Sequence, residues 1–260
     1  MFKIIKFKSH YLSIILFMII LLTAVLGISS TIPVTATSSI TDVQPDVKCK
    51  TVYLTFDDGP SKNTAELLEI LDKYNVKATF FVIGKDENAK DLMWKIATKC
   101  HSIAPHCCRH EYNYIYSSFD NYMKDFNEIE HTIFEATGQK NKIFRFPGGS
   151  ANYFVQPKLM QQIIDAMTNK GYVYYDWNIV SGDDTAIVYP AQTLFNNVVK
   201  QGENKDRLII LFHDTNLANT TPKAVEKVIQ YYQSKGYIFS ILEEQVKPIQ
   251  FKKPSDYLKS

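Results

Sequence analysis

Two carboxylates stand side by side in TVYLTFDDGP, Asp57 and Asp58, at the end of a short β-branched and aromatic run. Adjacent negative charges at the end of a buried strand need a cation or a strong donor to hold them. Other strand-like runs end in the same way: Arg145 interrupts KIFRFPGG, Asp176 and Trp177 lie late in YVYYDW, and His213 and Asp214 follow RLIILF. Any one of these alone is an ordinary solvated loop charge. Four at one pole of an α/β domain fall where such folds place chemistry, at the C-terminal ends of the strands. In CHSIAPHCCRHEY, His106 and His110 are spaced i, i+4. On a helical turn that spacing puts both imidazoles on one face, as two ligands of one metal require. Catalytic zinc sites commonly use two His and one carboxylate. The helical zinc-protease motif is excluded, because it needs Glu directly after the first His and Cys107 stands there.

The elements that must carry these residues alternate. TVYLTF, KATFFVI, KIFRF, YVYYDWNIV, RLIILF and YIFSIL read as strands, with amphipathic helical stretches between them. Asn63-Thr64-Ala65-Glu66 resembles a capping box opening the first helix, Gly138 and Gly171 are helix stops, and Pro157 is a helix start. This order predicts an α/β fold with a mainly parallel sheet, and about seven strands favour barrel-like closure. Residues 50–246 form one catalytic-size domain, 37–49 a linker, and 247–260, KPIQFKKPSDYLKS, a solvated tail.

The first 36 residues differ. Lys3, Lys6 and Lys8 precede an uncharged run from Tyr11 to Ile28, then a polar stretch with a small-residue site at Val34-Thr35-Ala36. This predicts a signal peptide or, uncleaved, a membrane anchor; either exports the remainder to the outer face of the membrane or the cell wall. The 260-residue chain is 45% hydrophobic and 13% aromatic, with a net charge of +2. That balance is globular and gives no footprint for nucleic acid. A monomer is expected.

With these residues in hand, the chain resembles the polysaccharide deacetylases, carbohydrate esterase family four, over roughly residues 50–245. TFDDGP, the His-x-x-x-His segment, RFPGG and LFHD occur in the family's order. The resemblance implies a distorted parallel (β/α) barrel and metal-dependent removal of acetyl groups from a glycan. Bacterial peptidoglycan is favoured because of the export signal. Chitin, exopolysaccharide or acetyl-xylan is the alternative substrate, and a catalytically weak carbohydrate-binding relative the alternative role. It implies that Asp58, His106 and His110 bind a divalent metal, usually Zn2+, with Co2+ or Mn2+ as substitutes. Asp57 would be the general base, held by Arg145, and His213 the general acid. The Gly148 N–H would meet the oxyanion, Leu211 would line the acetyl pocket, and Pro147 and Trp177 would contact substrate.

Two segments depart from the family. Gly is frequent where Cys100 stands, and Cys107, Cys108 and Arg109 replace small, aromatic or hydroxyl residues between the histidines. The cysteines are expected to be small, partly buried fillers; as thiols Cys107 and Cys108 are also candidate ligands or, in an oxidising exterior, candidate partners for Cys100. Arg109 beside a dication is expected to weaken the metal relative to related enzymes. The second departure follows Trp177. In WNIVSGDD, Val180 stands where many members have the first Asp of Asp-x-x-Asp-Trp, and Asp184 replaces the Trp. The carboxylate partner of His213 is therefore open between Asp176 and Asp183. Among the remaining residues, Trp94 is expected in the core and His131 at the surface or capping, and for His101, just before the paired histidines, the sequence gives no second partner.

Overall fold

A computed structural model describes residues 49–84 and 89–255. The export segment predicted for residues 1–36 and most of the linker lie outside them. Among the described residues no helix is long and apolar enough to cross a membrane.

Strand β1 (Thr51–Gly59) is followed by α1 (Thr64–Lys73), β2 (Thr79–Ile83), α2 (Ala89–Thr98) and β3 (Ser102–Cys107). Then come α3 (Tyr112–Ile115), α4 (Phe119–Thr137), β4 (Ile143–Phe144), α5 (Pro157–Asn169), β5 (Val173–Tyr174) and β6 (Ile179–Val180). The chain closes with α6 (Ala191–Gly202), β7 (Arg207–His213), α7 (Thr221–Ser234) and β8 (Ile238–Phe239). The strands pair in the order β3-β2-β1-β7-β6, all parallel, with β8 beside the start of β1 and a separate parallel pair β4-β5. The Arg145 N–H donates to the Pro105 carbonyl at 3.2 Å, joining β4 to β3. The result is an α/β fold, a distorted (β/α) barrel.

The distortion has a local cause. The run expected as one strand, YVYYDWNIV, is two short pieces, because the Asp176 N–H turns to the Ile249 carbonyl and the Asn178 N–H to the Ile209 carbonyl. Likewise KIFRF keeps only Ile143–Phe144 as strand.

Alternation along the strands sorts their side chains. Val52, Leu54 and Phe56 of β1, Phe80 and Val82 of β2, and Leu208, Ile210 and Phe212 of β7 join one apolar cluster with the helices. The opposite faces carry Tyr53, Phe81, Ala104 and Ile209, a smaller second cluster. Thr55 and Asp57 continue the Tyr53 face, and Leu211 and His213 the Ile209 face, since strand side chains repeat every second residue. The inward face is thus apolar at one end and reactive at the C-terminal end.

Several local expectations are corrected. Asn63 does not cap α1 with its side chain; its amide reaches instead to the carbonyls of Thr215 and Ala218, at 2.6 and 3.2 Å. Gly138 does end its helix in the left-handed conformation, and Pro157 does open α5. Trp94 is exposed rather than core, because Met93, Ile96 and Ala97 form the buried face of α2. Residues 247–255 are not a solvated tail: the Tyr174 hydroxyl donates to the Lys252 carbonyl, and Asp165 accepts from both the N–H and the hydroxyl of Ser255.

Candidate active site

The end of β1 is built around one buried arginine. Arg145 is fully buried, and its Nη1 donates to Asp57 Oδ1 at 2.8 Å and to Thr55 Oγ1 at 2.7 Å. Its Nε donates to the Tyr175 carbonyl at 2.8 Å and Nη2 to the Asp176 carbonyl at 3.3 Å. The guanidinium lies 4.3 Å from the Phe81 ring centre and 5.5 Å from that of Trp177. A buried ion pair is tolerated only when its remaining donors are satisfied, and here neighbouring backbone carbonyls do that.

Asp58 points elsewhere, because its φ of 67° places it in the left-handed region and turns its side chain out of the strand alternation. Its Oδ1 lies 3.3 Å from His106 Nε2 and 3.1 Å from His110 Nε2. The two histidines do not share a helical face. His106 lies in β3, and His110, with φ of 51°, sits in the turn after it. That turn is fastened by Asp125 on α4, which accepts from the N–H groups of Cys108 and Arg109 at 2.7 and 3.0 Å. The i, i+4 spacing was the right pointer for the wrong geometry: a strand end plus a left-handed turn brings the rings together.

These three residues fit a metal. His106 Nδ1 is 3.0 Å from the Arg145 carbonyl, so the ring donates there and leaves Nε2 as an acceptor facing Asp58. Burial lowers the His106 pKa despite the nearby Asp57 and Asp58, which favours the neutral, ligating form. Asp58 Oδ1 is buried and makes no well-formed hydrogen bond. Burial alone would raise the Asp58 pKa, but the His110 contact and the His106 imidazole hold it well below the usual carboxylate range. A carboxylate oxygen with two ring nitrogens converging on it is a donor set for a divalent cation.

His213 is paired with Asp183, not Asp176. Its Nδ1 is 2.9 Å from Asp183 Oδ1, and its backbone N–H donates to Asp183 Oδ2, also at 2.9 Å. Ser181 and Thr221 hydroxyls donate to the same carboxylate at 2.8 and 2.7 Å. Burial acts to lower the His213 pKa, but the hydrogen bond and charge of Asp183 outweigh it, and the imidazole is lifted to about 9.

Asp176 has a different task. It accepts from the N–H and hydroxyl of Ser150, at 2.8 and 2.5 Å, and from the Phe251 N–H at 2.7 Å. It therefore ties the turn after Arg145 to the C-terminal segment. Asp214 plays the matching part on the other side: the Ser61 and Thr64 hydroxyls both donate to it at 2.6 Å, and its own N–H donates to the Asp57 carbonyl at 2.8 Å. Gly59 is required for that packing, since a Cβ there would lie 2.5 Å from Asp214 Oδ2.

The reactive groups share one pocket of about 330 Å3, lined by Asp57, Asp58, His106, His110, Gly148 and His213, with Trp177 and Leu211 in its wall. Tyr112 and Asp184 also line it and carried no distinctive spacing in the sequence. Pro147 does not line it. It is buried, and its carbonyl accepts from the Tyr116 hydroxyl at 2.9 Å and the Asn152 amide at 2.8 Å. Trp177 both faces the pocket and packs edge-on against Phe251, with ring centres 5.3 Å apart.

The cysteines stay out of this donor set. Cys107 is buried in an aromatic cluster with Tyr116, Tyr122 and Phe126, and burial raises its thiol pKa well above the ordinary value. Burial, with Asp125 nearby, pushes the Cys108 thiol up to about 11. Cys100 is exposed and precedes β3, whereas Cys107 ends it, so at ~3.3 Å per residue the strand separates them far beyond disulfide reach. Cys100 has φ of 60°, which accounts for glycine being suited to that position. Arg109 turns its guanidinium over the Tyr114 ring and towards Glu128, 3.8 Å away.

Residues 44–164 match the profile of the family described as polysaccharide deacetylase. The chain is 33% identical over 207 residues to YheN of Bacillus subtilis (strain 168), covering 77% of this chain and 70% of that protein. It is 31% identical over 205 residues to a peptidoglycan-N-acetylglucosamine deacetylase of Bacillus cereus, covering 75% and 70%. Among solved structures, the catalytic domain of a peptidoglycan N-acetylglucosamine deacetylase from Eubacterium rectale superposes with a TM-score of 0.75 at 33% identity, covering 88% of this chain and 99% of that one. The chain belongs to the polysaccharide deacetylase family, carbohydrate esterase family four. As a member it is a hydrolase acting on the amide bonds of N-acetyl groups, in a metal-dependent family.

Proposed function

We propose that this enzyme removes acetyl groups from the N-acetylated aminosugars of peptidoglycan, releasing acetate. The observation that carries the reading is the meeting, in one pocket, of an arginine-held Asp57, an aspartate-held His213 and the Asp58–His106–His110 donor set. The peptidoglycan assignment is supported by the B. cereus and E. rectale relatives and by the export segment expected from the sequence, with which the enzyme would act at the extracellular face of the cell membrane or in the cell wall.

Asp58, His106 and His110 would hold a divalent cation, Zn2+ first and Co2+ or Mn2+ as substitutes. Bound there, such a cation would polarise the acetyl carbonyl and acidify a water. The protein's own groups supply the proton traffic. Asp57 takes the proton of the attacking water, with Arg145 fixing the carboxylate in place. The oxygen gains negative charge as the carbonyl carbon becomes tetrahedral, and the Gly148 N–H receives it. When the C–N bond breaks, His213 delivers its proton to the departing amine; Asp183 keeps the ring charged and oriented for that transfer. Leu211 bounds the acetyl methyl, and Trp177 closes the wall beside it.

The test is acetate release by the purified protein from peptidoglycan, chitin oligomers and acetyl-xylan, before and after chelation and with zinc restored. Release from peptidoglycan above the other two, lost with chelator and regained with zinc, is the expected result. Preference for chitin or xylan would reassign the substrate. Glycan binding without any release would make the protein a binding relative.

A further inference from the structure

Three aromatic rings leave the wall of the catalytic pocket as a continuous stack and run into solvent. Tyr112 lines the pocket, its ring centre 5.4 Å from that of His110. Phe154 stacks on Tyr112 at 5.3 Å and 24°, and Tyr153 lies against Phe154 at 4.5 Å. The outer two rings are 64% and 87% exposed. Folding gains little from rings left in water, so an exposed aromatic pair contiguous with a catalytic pocket calls for a ligand.

The pair is also held in place. Asn152 is buried; its amide donates to the Pro147 carbonyl at 2.8 Å, and its oxygen accepts from the Phe154 N–H, also at 2.8 Å. The platform is thereby tied to the turn that presents Gly148. That turn is crowded: a Cβ at Gly148 would lie 2.5 Å from the Asn152 amide nitrogen and 3.2 Å from the Tyr112 hydroxyl. Tyr153 also walls a neighbouring cavity of about 480 Å3 with Asn152, Gln156 and Lys252. An aromatic face beside amide and ammonium groups suits a pyranose, whose C–H face packs on a ring while its hydroxyls take the polar partners.

We propose that Tyr153 and Phe154 form a binding platform for the sugar next to the one being deacetylated on the same glycan chain. This rests on reading the pocket as an N-acetyl aminosugar site. The platform is fixed before substrate arrives, so binding needs little further ordering of the loop. It makes the enzyme select for polymer over single sugars.

The full chain and its Tyr153→Ala, Phe154→Ala and Tyr153→Phe variants would be compared on N-acetylglucosamine oligomers of increasing length. Acetate release and calorimetric affinity are both read. The expected result is a loss in kcat/KM and affinity that grows with oligomer length, roughly two- to tenfold per ring on the longest, with Tyr153→Phe close to wild type. Equal losses at every length, or none, would overturn the platform. If the wild type binds long oligomers through these rings yet releases no acetate, the deacetylase reading fails while the platform stands. If acetate is released and the alanine variants show no length dependence, the reverse holds.

Discussion

Replacing Asp183 by Asn tests how this site keeps an acid charged at neutral pH. The change keeps the shape of the side chain and removes its charge. Burial acts to lower the His213 pKa, and Asp183 is the largest opposing influence that lifts it to about 9. A general acid must carry its proton, so activity is lost as pH rises through that value. At pH 7.5 a group with a pKa of about 9 is roughly 97% protonated. Falling only to the ordinary histidine value of about 6.5 leaves roughly 9%, a tenfold loss at pH 7.5 that shrinks below about pH 6. Burial without its compensating charge takes the shift further in the same direction. The assay is the pH profile of kcat/KM for wild type and variant, with thermal unfolding to show that both are folded. The alkaline limb should move to lower pH by about two units or more. An alkaline limb that stays in place while overall activity falls would refute the argument and leave Asp183 an orienting role only.

Other expectations follow from the same contacts. Asp176→Asn places an amide group against N–H donors of Ser150 or Phe251; it should cost about 1–3 kcal/mol in thermal or denaturant unfolding and lower kcat without moving the His213 limb. Truncation after Val246 removes the Phe251 and Lys252 N–H contacts and should lower both Tm and activity. His101 accepts from the Ala78 N–H through Nδ1, and burial lowers its pKa to about 4. Its folded value is below the unfolded one, so stability is full above about pH 6.5 and declines as pH falls towards 4, by about 3 kcal/mol. His101→Asn, which retains an acceptor, should flatten that part of the stability profile. Under native conditions a thiol reagent should label Cys100 quickly and Cys107 only on unfolding, and peptide mapping should find no bond between them.

The alternation of strand and helix was legible where strands carry β-branched and aromatic runs, as β1, β2 and β7 do, and helices an apolar stripe; β3, SIAPHC, has no such run, and its end reads as a helical turn. The carboxylate pair of the candidate site was legible because Asp57 and Asp58 are adjacent and end such a run. Other features depend on backbone direction or on distant partners. His106 and His110 meet through a strand end and a left-handed residue, which spacing alone reads as a helix turn. Asp176 and Asp183 were equivalent candidates until the break between β5 and β6 aimed one at Ser150 and the other at His213. Thr55 could have been found from the strand period, two residues before Asp57, whereas Asp125 acts from α4 with no local sequence signal. The C-terminal segment looked polar and basic, but its backbone N–H groups, not its side-chain charges, do the fastening.

The division of labour between the two adjacent carboxylates is tested most directly by Asp57→Asn. Bound metal and acetate release would be measured on the same folded sample. On the proposed reading Asp58, His106 and His110 hold the metal and Asp57 takes the proton. The variant should therefore retain wild-type metal content while kcat falls by ~100-fold or more. Loss of the metal together with the activity, or activity close to wild type, would contradict that division.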